Sequence, residues 1–404
     1  MSFYITYLCS LVYGTKMDFT KVKNFVDTLE GIGIPGCDLS IYLEDKEVYR
    51  YYTGVGNLES QTPITPDSLY PIWSMTKVIT CVAALRLFEE GRYLLNDPLY
   101  EYMSEFKNLT IRHTRENGDV VELPATKPIR IRDLFTMSTG YSYDALGAHE
   151  FFQVPNEGNV TLREMVLTLA KMPIRFEPGT RWCYGYSHDI LGALIEVLSG
   201  KTLGEYFAEN IFNPLGMYDT SFKVPKDKQH RLVSCYTYDE ETKNHSYANL
   251  GIAYFNKSSK LYFSDDWIHE NAGGGLISTV NDYAKFARSL CMGGTLVNNY
   301  HILGEATINL MRTNFLNNVQ MNDYSGEWAH HNSYGYGLGV RTMVNPTHGG
   351  VSSNYGEFGW SGLPGLYVLM DPAAKLTYVY AQQLFPSKEE FVAPRLKTVI
   401  YGCL

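Results

Sequence analysis

Ser74-Met75-Thr76-Lys77 places a serine and a lysine three residues apart. On a helix such residues are neighbours, with roughly 5–6 Å between Cβ atoms, so the Lys77 amine reaches the Ser74 hydroxyl. A serine in the first helical turn also sits beside free N–H groups and the positive helix end, which stabilise a developing oxyanion. A partly desolvated lysine among polar donors loses its proton and serves as a base. The chemistry such a pair could do is attack by an activated serine. Four residues are a weak signal, because Ser104-Glu105-Phe106-Lys107 fits the same pattern and reads as a surface turn. Ser74 differs by context. It follows apolar Ile72-Trp73 and opens a run in which Val78, Ile79, Val82, Leu85 and Phe88 recur at helical spacing, closed by Gly91.

Tyr184-Gly185-Tyr186-Ser187-His188 precedes a helical pattern over Asp189–Ser199. A tyrosine at a loop-to-helix junction projects into a cleft. Tyr186, as a phenolate or sharing a proton with Lys77, would take the Ser74 proton and pass it to a leaving group. In a chain with 32 tyrosines it reads equally as a packing residue. Phe358-Gly359-Trp360-Ser361-Gly362-Leu363-Pro364-Gly365 leads into a strand. Its glycines let a strand edge approach a ligand, and a free N–H there completes an oxyanion hole. A bulge or tight turn is the other reading. There is no G-x-S-x-G elbow, despite His348-Gly349-Gly350, and no phosphate loop or H-E-x-x-H. His113, His149, His188, His330, His331 and His348 show no metal-ligand spacing and read as surface residues. No metal and no organic cofactor is expected.

The elements that must hold these residues lie in a chain of 404 residues, 45% hydrophobic and 19% charged, the composition of a folded globular protein. Thirty-four basic against 43 acidic residues leave a net charge of −9. That charge is a poor basis for binding nucleic acid or an anionic membrane. Seven scattered cysteines without a CxxC speak against a disulfide framework or zinc site and for a reducing compartment. Phe3–Val12 is too short to span a membrane and lacks a basic flank. The expected location is the cytoplasm. Residues 1–16 read as an extension outside the fold, with Met17 as an alternative start.

Phe19–Gly31 reads as a helix, and Gly36–Val48 and Val48–Gly54 as strands about the turn Asp45-Lys46-Glu47. Ile131–Ser138, Leu162–Met172, Asp189–Ser199, Tyr206–Ile211 and Asp282–Cys291 read as helices. Strands return at Tyr336–Val344, Gly365–Met370 and Leu376–Gln382, before a last helix over Glu389–Tyr401. The fold class is α+β: an antiparallel sheet built from both ends, flanked by the terminal helices, with an inserted mostly helical domain. Residues 17–73 and 270–404 would form the sheet domain and residues 74–269 the helical one. The cleft would lie between them.

In order and spacing these motifs resemble the serine β-lactamase-like superfamily, in the branch of class C β-lactamases, D,D-peptidases and family VIII carboxylesterases. Leu95-Asn96-Asp97-Pro98-Leu99, Ile131-Arg132-Asp133-Leu134-Phe135-Thr136-Met137-Ser138-Thr139-Gly140, Glu177-Pro178-Gly179-Thr180, Gly200-Lys201-Thr202, Pro214-Leu215-Gly216-Met217 and Gly273-Gly274-Gly275-Leu276-Ile277-Ser278-Thr279 extend the likeness across Gly36–Gln382. The resemblance implies that Ser74 is the nucleophile, Lys77 its activating partner and Tyr186 the general base and later acid. It further implies that the N–H groups of Ser74 and Leu363 form the oxyanion hole, and that reaction passes through an acyl-enzyme.

Two departures bear on the substrate. His188 stands where the second motif usually carries asparagine. Trp360-Ser361-Gly362 stands where the third usually opens with lysine or histidine. An indole offers a single donor and a large apolar face, so the cleft should favour uncharged acyl groups. The expected activity is a carboxylesterase on short to medium acyl esters, with weak β-lactam hydrolysis as a side activity. The alternatives are a β-lactamase or D-amino-acid peptidase and an acyltransferase; a non-catalytic binding protein is disfavoured because serine and lysine are both present. The partner is a small-molecule ester or amide. Tyr143, Phe151, Phe152 and Trp328, in aromatic-rich segments, are candidates to line the pocket or to pack in the core.

Overall fold

The computed structural model describes residues 17–143, 160–248, 268–294 and 300–404. Its centre is an eight-stranded antiparallel sheet: β1 (Gly36–Leu43), β2 (Lys46–Asn57), β3 (Thr62–Pro63), β4 (Tyr334–Tyr336), β5 (Arg341–Met343), β6 (Phe358–Gly362), β7 (Leu366–Asp371) and β8 (Leu376–Gln382). The order is β4-β5-β6-β7-β8-β1-β2-β3. Strand β1, from the start of the fold, therefore pairs with β8 from its end, Cys37 opposite Gln382 and Leu43 opposite Leu376.

Both faces of this sheet are covered, which is why its central strands read as nearly continuous apolar runs. Tyr367, Leu369, Tyr378 and Tyr380 pack with Val22 and Val26 of α1 (Thr20–Asp27) and with Val392, Leu396 and Ile400 of the C-terminal helix. The alternate residues Val368, Met370, Val379 and Ala381 join the other core, where α2 (Thr76–Glu89) and α5 (Val280–Cys291) lie. Period-2 alternation thus splits two apolar sets between two helical layers. The last helix is α6 (Glu389–Tyr401). Between β3 and α5 the chain carries α3 (Ile131–Phe135), α4 (Ser187–Ser199), a helix over Leu162–Leu169 and the exposed ribbon Thr110–Thr114/Val120–Pro124. Among the described residues no helix is long and apolar enough to cross a membrane.

Several bounds differ from the sequence reading. The first hairpin turns one step earlier, at Glu44-Asp45, where Glu44 takes φ +55°. The expected strand Tyr336–Val344 is two strands, β4 and β5, folded against each other with Tyr336 opposite Arg341. Gly337 forces the break: a Cβ there would lie 2.1 Å from the Met311 carbonyl oxygen. The first helix ends at Asp27 and tightens into a 3₁₀ turn that stops at Gly33 (φ +89°). Ser104 and Lys107 lie exposed about a short 3₁₀ turn, which leaves the second S-x-x-K on the surface.

Candidate active site

Ser74 sits two residues before α2, in a 3₁₀ turn over Trp73–Met75. Trp73 has φ +48°, a left-handed conformation that a bulky residue adopts only under constraint, at a cost of about 1–3 kcal/mol. The constraints are visible. Ile72 N–H donates to Leu276 O at 2.9 Å, the Tyr283 hydroxyl donates to Met75 O at 2.9 Å, and Leu276 N–H donates to Thr76 Oγ1 at 3.2 Å. On the other side β6 comes so close that a Cβ on Gly362 would stand 2.6 Å from Ile72 O. The half-buried Ser74 side chain is thereby turned out of the helix into a cavity of about 270 Å³, lined among others by Tyr184, Trp328, Trp360, Gly362 and Leu363.

Lys77 lies on the first turn of α2, buried. Its Nζ donates to Ser74 Oγ at 3.3 Å, to the Tyr143 hydroxyl at 3.1 Å and to Gly273 O at 2.5 Å, and it stands 4.7 Å from the centre of the Tyr184 ring. Burial works to lower its pKa, but Tyr143, Tyr184 and the Asp189 carboxylate outweigh it and the pKa is raised. These partners favour the ammonium form of Lys77, against the deprotonated lysine that partial desolvation alone would give. Burial raises the Tyr143 phenol against the pull of Lys77. Asp189, on the first turn of α4, is pushed up to about 6 by burial, opposed by Lys77 and by the Gly273 N–H at 3.1 Å.

The tyrosine that reaches the Ser74 cavity is Tyr184. Its hydroxyl accepts from Trp360 Nε1 at 3.3 Å. Tyr186, expected in that place, is the residue that caps α4, buried, with its ring edge-on to Tyr143 at 4.7 Å. Gly185 explains the choice. It pairs with Ser142, and a Cβ there would fall 2.0 Å from Tyr141 O. The backbone thus runs tight against 141–142 and carries Tyr184 outward and Tyr186 inward. His188 is corrected likewise. It is fully buried, with Nε2 3.1 Å from Phe135 O and 3.5 Å from Cys81 Sγ, and burial holds it down to about 3. It ties α4 to α2 and α3 as a neutral ring and does not face substrate.

Trp360 is buried at the cavity wall within a cluster of rings: Tyr336 at 5.1 Å, Trp328 at 5.5 Å and Tyr184 at 5.9 Å. Ser361, Gly362 and Leu363 line the cavity beside it. The turn Gly362–Gly365 closes through Gly365 N–H to Gly362 O at 2.9 Å. A four-residue turn of this kind does not use the N–H of its second residue, here Leu363. Tyr143 instead serves Lys77 from behind, and Phe151 and Phe152 lie outside the described residues. The segment Tyr236–Tyr238 packs against Gly33 and the end of β2, away from Ser74. His330 and His331, expected on the surface, stand on the cavity wall beside Glu389. His331 is 5% exposed.

A serine bonded to a buried lysine, a facing phenol and a glycine-flanked turn thus meet around one cavity. A profile of the Beta-lactamase family matches residues 22–400. The chain belongs to the Beta-lactamase family. That family comprises serine hydrolases and acyltransferases, with the antiparallel sheet and helices described above. An uncharacterized protein of Mycobacterium tuberculosis (strain CDC 1551 / Oshkosh) is 28% identical over 370 residues, 87% of this chain and 86% of that one. Lovastatin esterase of Penicillium rubens is 32% identical over 253 residues, 60% of each chain. The structure of simvastatin synthase from Aspergillus terreus superposes with a TM-score of 0.78 at 22% identity, covering 95% of this chain and 97% of that one.

Proposed function

We propose that this member of the family is a carboxylesterase that forms an acyl-enzyme on Ser74 and acts on uncharged short to medium acyl esters. The observation that carries the reading is the wall of the Ser74 cavity. Where a cation would select a substrate carboxylate, Trp360 stands among Tyr184, Trp328 and Tyr336. About 270 Å³ suits an acyl chain of modest size.

In this reading Tyr184, in its phenolate form, accepts the Ser74 proton as Oγ attacks the ester carbonyl carbon. The carbonyl oxygen becomes an oxyanion held by the N–H groups of Ser74 and Leu363. The carbon–oxygen bond to the alcohol then breaks, and Tyr184 returns the proton to the departing alkoxide. Water repeats the sequence and releases the acid. Lys77 donates to Ser74 Oγ and stands over the Tyr184 ring; Tyr143 and, through Gly273, Asp189 hold Lys77. An alcohol in place of water gives an acyltransferase from the same residues. The likeness to simvastatin synthase favours testing that second reading beside the first.

The test is a paired assay of wild type and Ser74→Ala on p-nitrophenyl esters from acetate to octanoate and on a chromogenic cephalosporin, with and without an added alcohol. Ester turnover lost in the variant, with little cephalosporin cleavage, is the expected result. Efficient cephalosporin turnover would overturn the reading of Trp360 in favour of a β-lactamase. Ester product formed mainly by transfer to the alcohol would favour an acyltransferase.

A further inference from the structure

Three side chains on the wall of the Ser74 cavity have no part in acyl transfer as described. His330 and His331 lie on the short turn Ala329–His331, and Glu389 opens α6. One ligand atom from each lies within 4.8 Å of both others. Zinc–nitrogen and zinc–carboxylate bonds run about 2.0–2.2 Å, so one ion fits between the three once the side chains close on it.

Their hydrogen bonding points the same way. His330 Nε2 and Glu389 Oε1 are buried atoms without a hydrogen-bond partner. A buried polar atom left without a partner is destabilising unless something occupies it. His331 Nδ1 lies 3.1 Å from the Tyr324 hydroxyl. With Tyr324 accepting from Nδ1–H, Nε2 carries the lone pair, the arrangement in which an outer residue orients a metal-ligating imidazole. Glu390 on the same wall adds negative charge and Lys388 is turned to Glu240, while the buried Arg341 guanidinium acts on all three groups and Ser361 hydrogen-bonds Glu389.

We propose that His330, His331 and Glu389 form a binding site for a divalent transition metal of the zinc class. Two imidazoles and one carboxylate are a complete protein ligand set for such an ion, with a remaining position open to the cavity. The ion would sit in the same cavity as Ser74 without contacting Lys77. The acyl-transfer chemistry does not require it.

The experiment titrates chelator-treated full-length protein with Co²⁺ and reads the visible d–d spectrum. The expected result is one equivalent bound, with no thiolate charge-transfer band. Affinity falls at least tenfold in His330→Ala and in Glu389→Gln, each with unchanged circular dichroism, and is kept in a His348→Ala control. Ser74→Ala should bind cobalt like wild type, so failure of this site and failure of the esterase reading are seen separately. No uptake at one equivalent, a thiolate band, or wild-type affinity in either ligand variant would overturn the proposal.

Discussion

Lys77 and Asp189 are joined by a single residue: Gly273 accepts from Lys77 Nζ through its carbonyl at 2.5 Å and donates its N–H to Asp189 Oδ1 at 3.1 Å. The contact leaves no room for a side chain, since a Cβ on Gly273 would stand 2.8 Å from Asp189 Oδ2 and 3.2 Å from the Tyr143 hydroxyl. Charge and backbone geometry in the site are thus one device.

Asp189 gives that device a pH signature. Burial raises its carboxyl to about 6, so above that value it is the anion that supports the Lys77 ammonium. Below it the support is withdrawn. Ester turnover should fall on the acid side with a midpoint near 6, and Asp189→Asn should flatten that limb while lowering kcat at all pH. The stability change runs opposite. A carboxyl raised by burial contributes stability that is full below its unfolded value and lost as pH rises through about 6. Asp189→Asn should remove that component from the Tm profile.

Tyr184 and Tyr186 make a direct comparison. Tyr184→Phe should lower kcat by about 10²–10⁴, the usual range for losing a positioned acid–base group. Tyr186→Phe should leave kcat within a few-fold of wild type. Steady-state kinetics on one ester decides between the two, and the reverse pattern would return the base role to Tyr186.

The indole N–H of Trp360 donates to the Tyr184 hydroxyl at 3.3 Å. Trp360→Phe keeps the ring and removes this donor, worth about 0.5–1.5 kcal/mol for a neutral bond. The expected result is a kcat lowered by about two- to tenfold at nearly unchanged KM.

Away from the cavity, α6 is held to the sheet edge by a buried pair. Lys397 Nζ lies 3.1 Å from Glu357 Oε2 and donates to the Tyr334 hydroxyl at 2.7 Å. Lys397→Met leaves the Glu357 charge without its cation and should cost about 3–5 kcal/mol. Chemical denaturation should show that loss, and adding Glu357→Gln should recover part of it.

Local order was legible wherever a pattern is carried by neighbouring residues. β8 and α6 run as expected, Leu376–Gln382 and Glu389–Tyr401, because alternation and an acidic first turn are short-range signals. The S-x-x-K pair was legible for the same reason, since its spacing is itself the geometry. The tyrosine was not. Tyr184 and Tyr186 are the same residue type two positions apart, and what separates them is the approach of Gly185 to Tyr141 O, a contact made by the fold. The signal available was that Gly185 itself, a glycine between two candidates. His330, His331 and Glu389 were illegible as a group because α6 alone brings the glutamate to the histidines.

The pairing of β1 with β8 has a consequence during synthesis. Cys37 meets its partner Gln382 only after nearly the whole chain has been made. Until then the hairpin of β1 and β2 presents an open edge and an apolar face to the ribosome's surroundings. Contacts so remote in sequence close slowly, and an unpaired edge in the meantime recruits other strands. The edge of β1 therefore stays open to wrong pairing until β8 has been made, and conditions that slow elongation near the C-terminus should favour inclusion bodies over soluble protein.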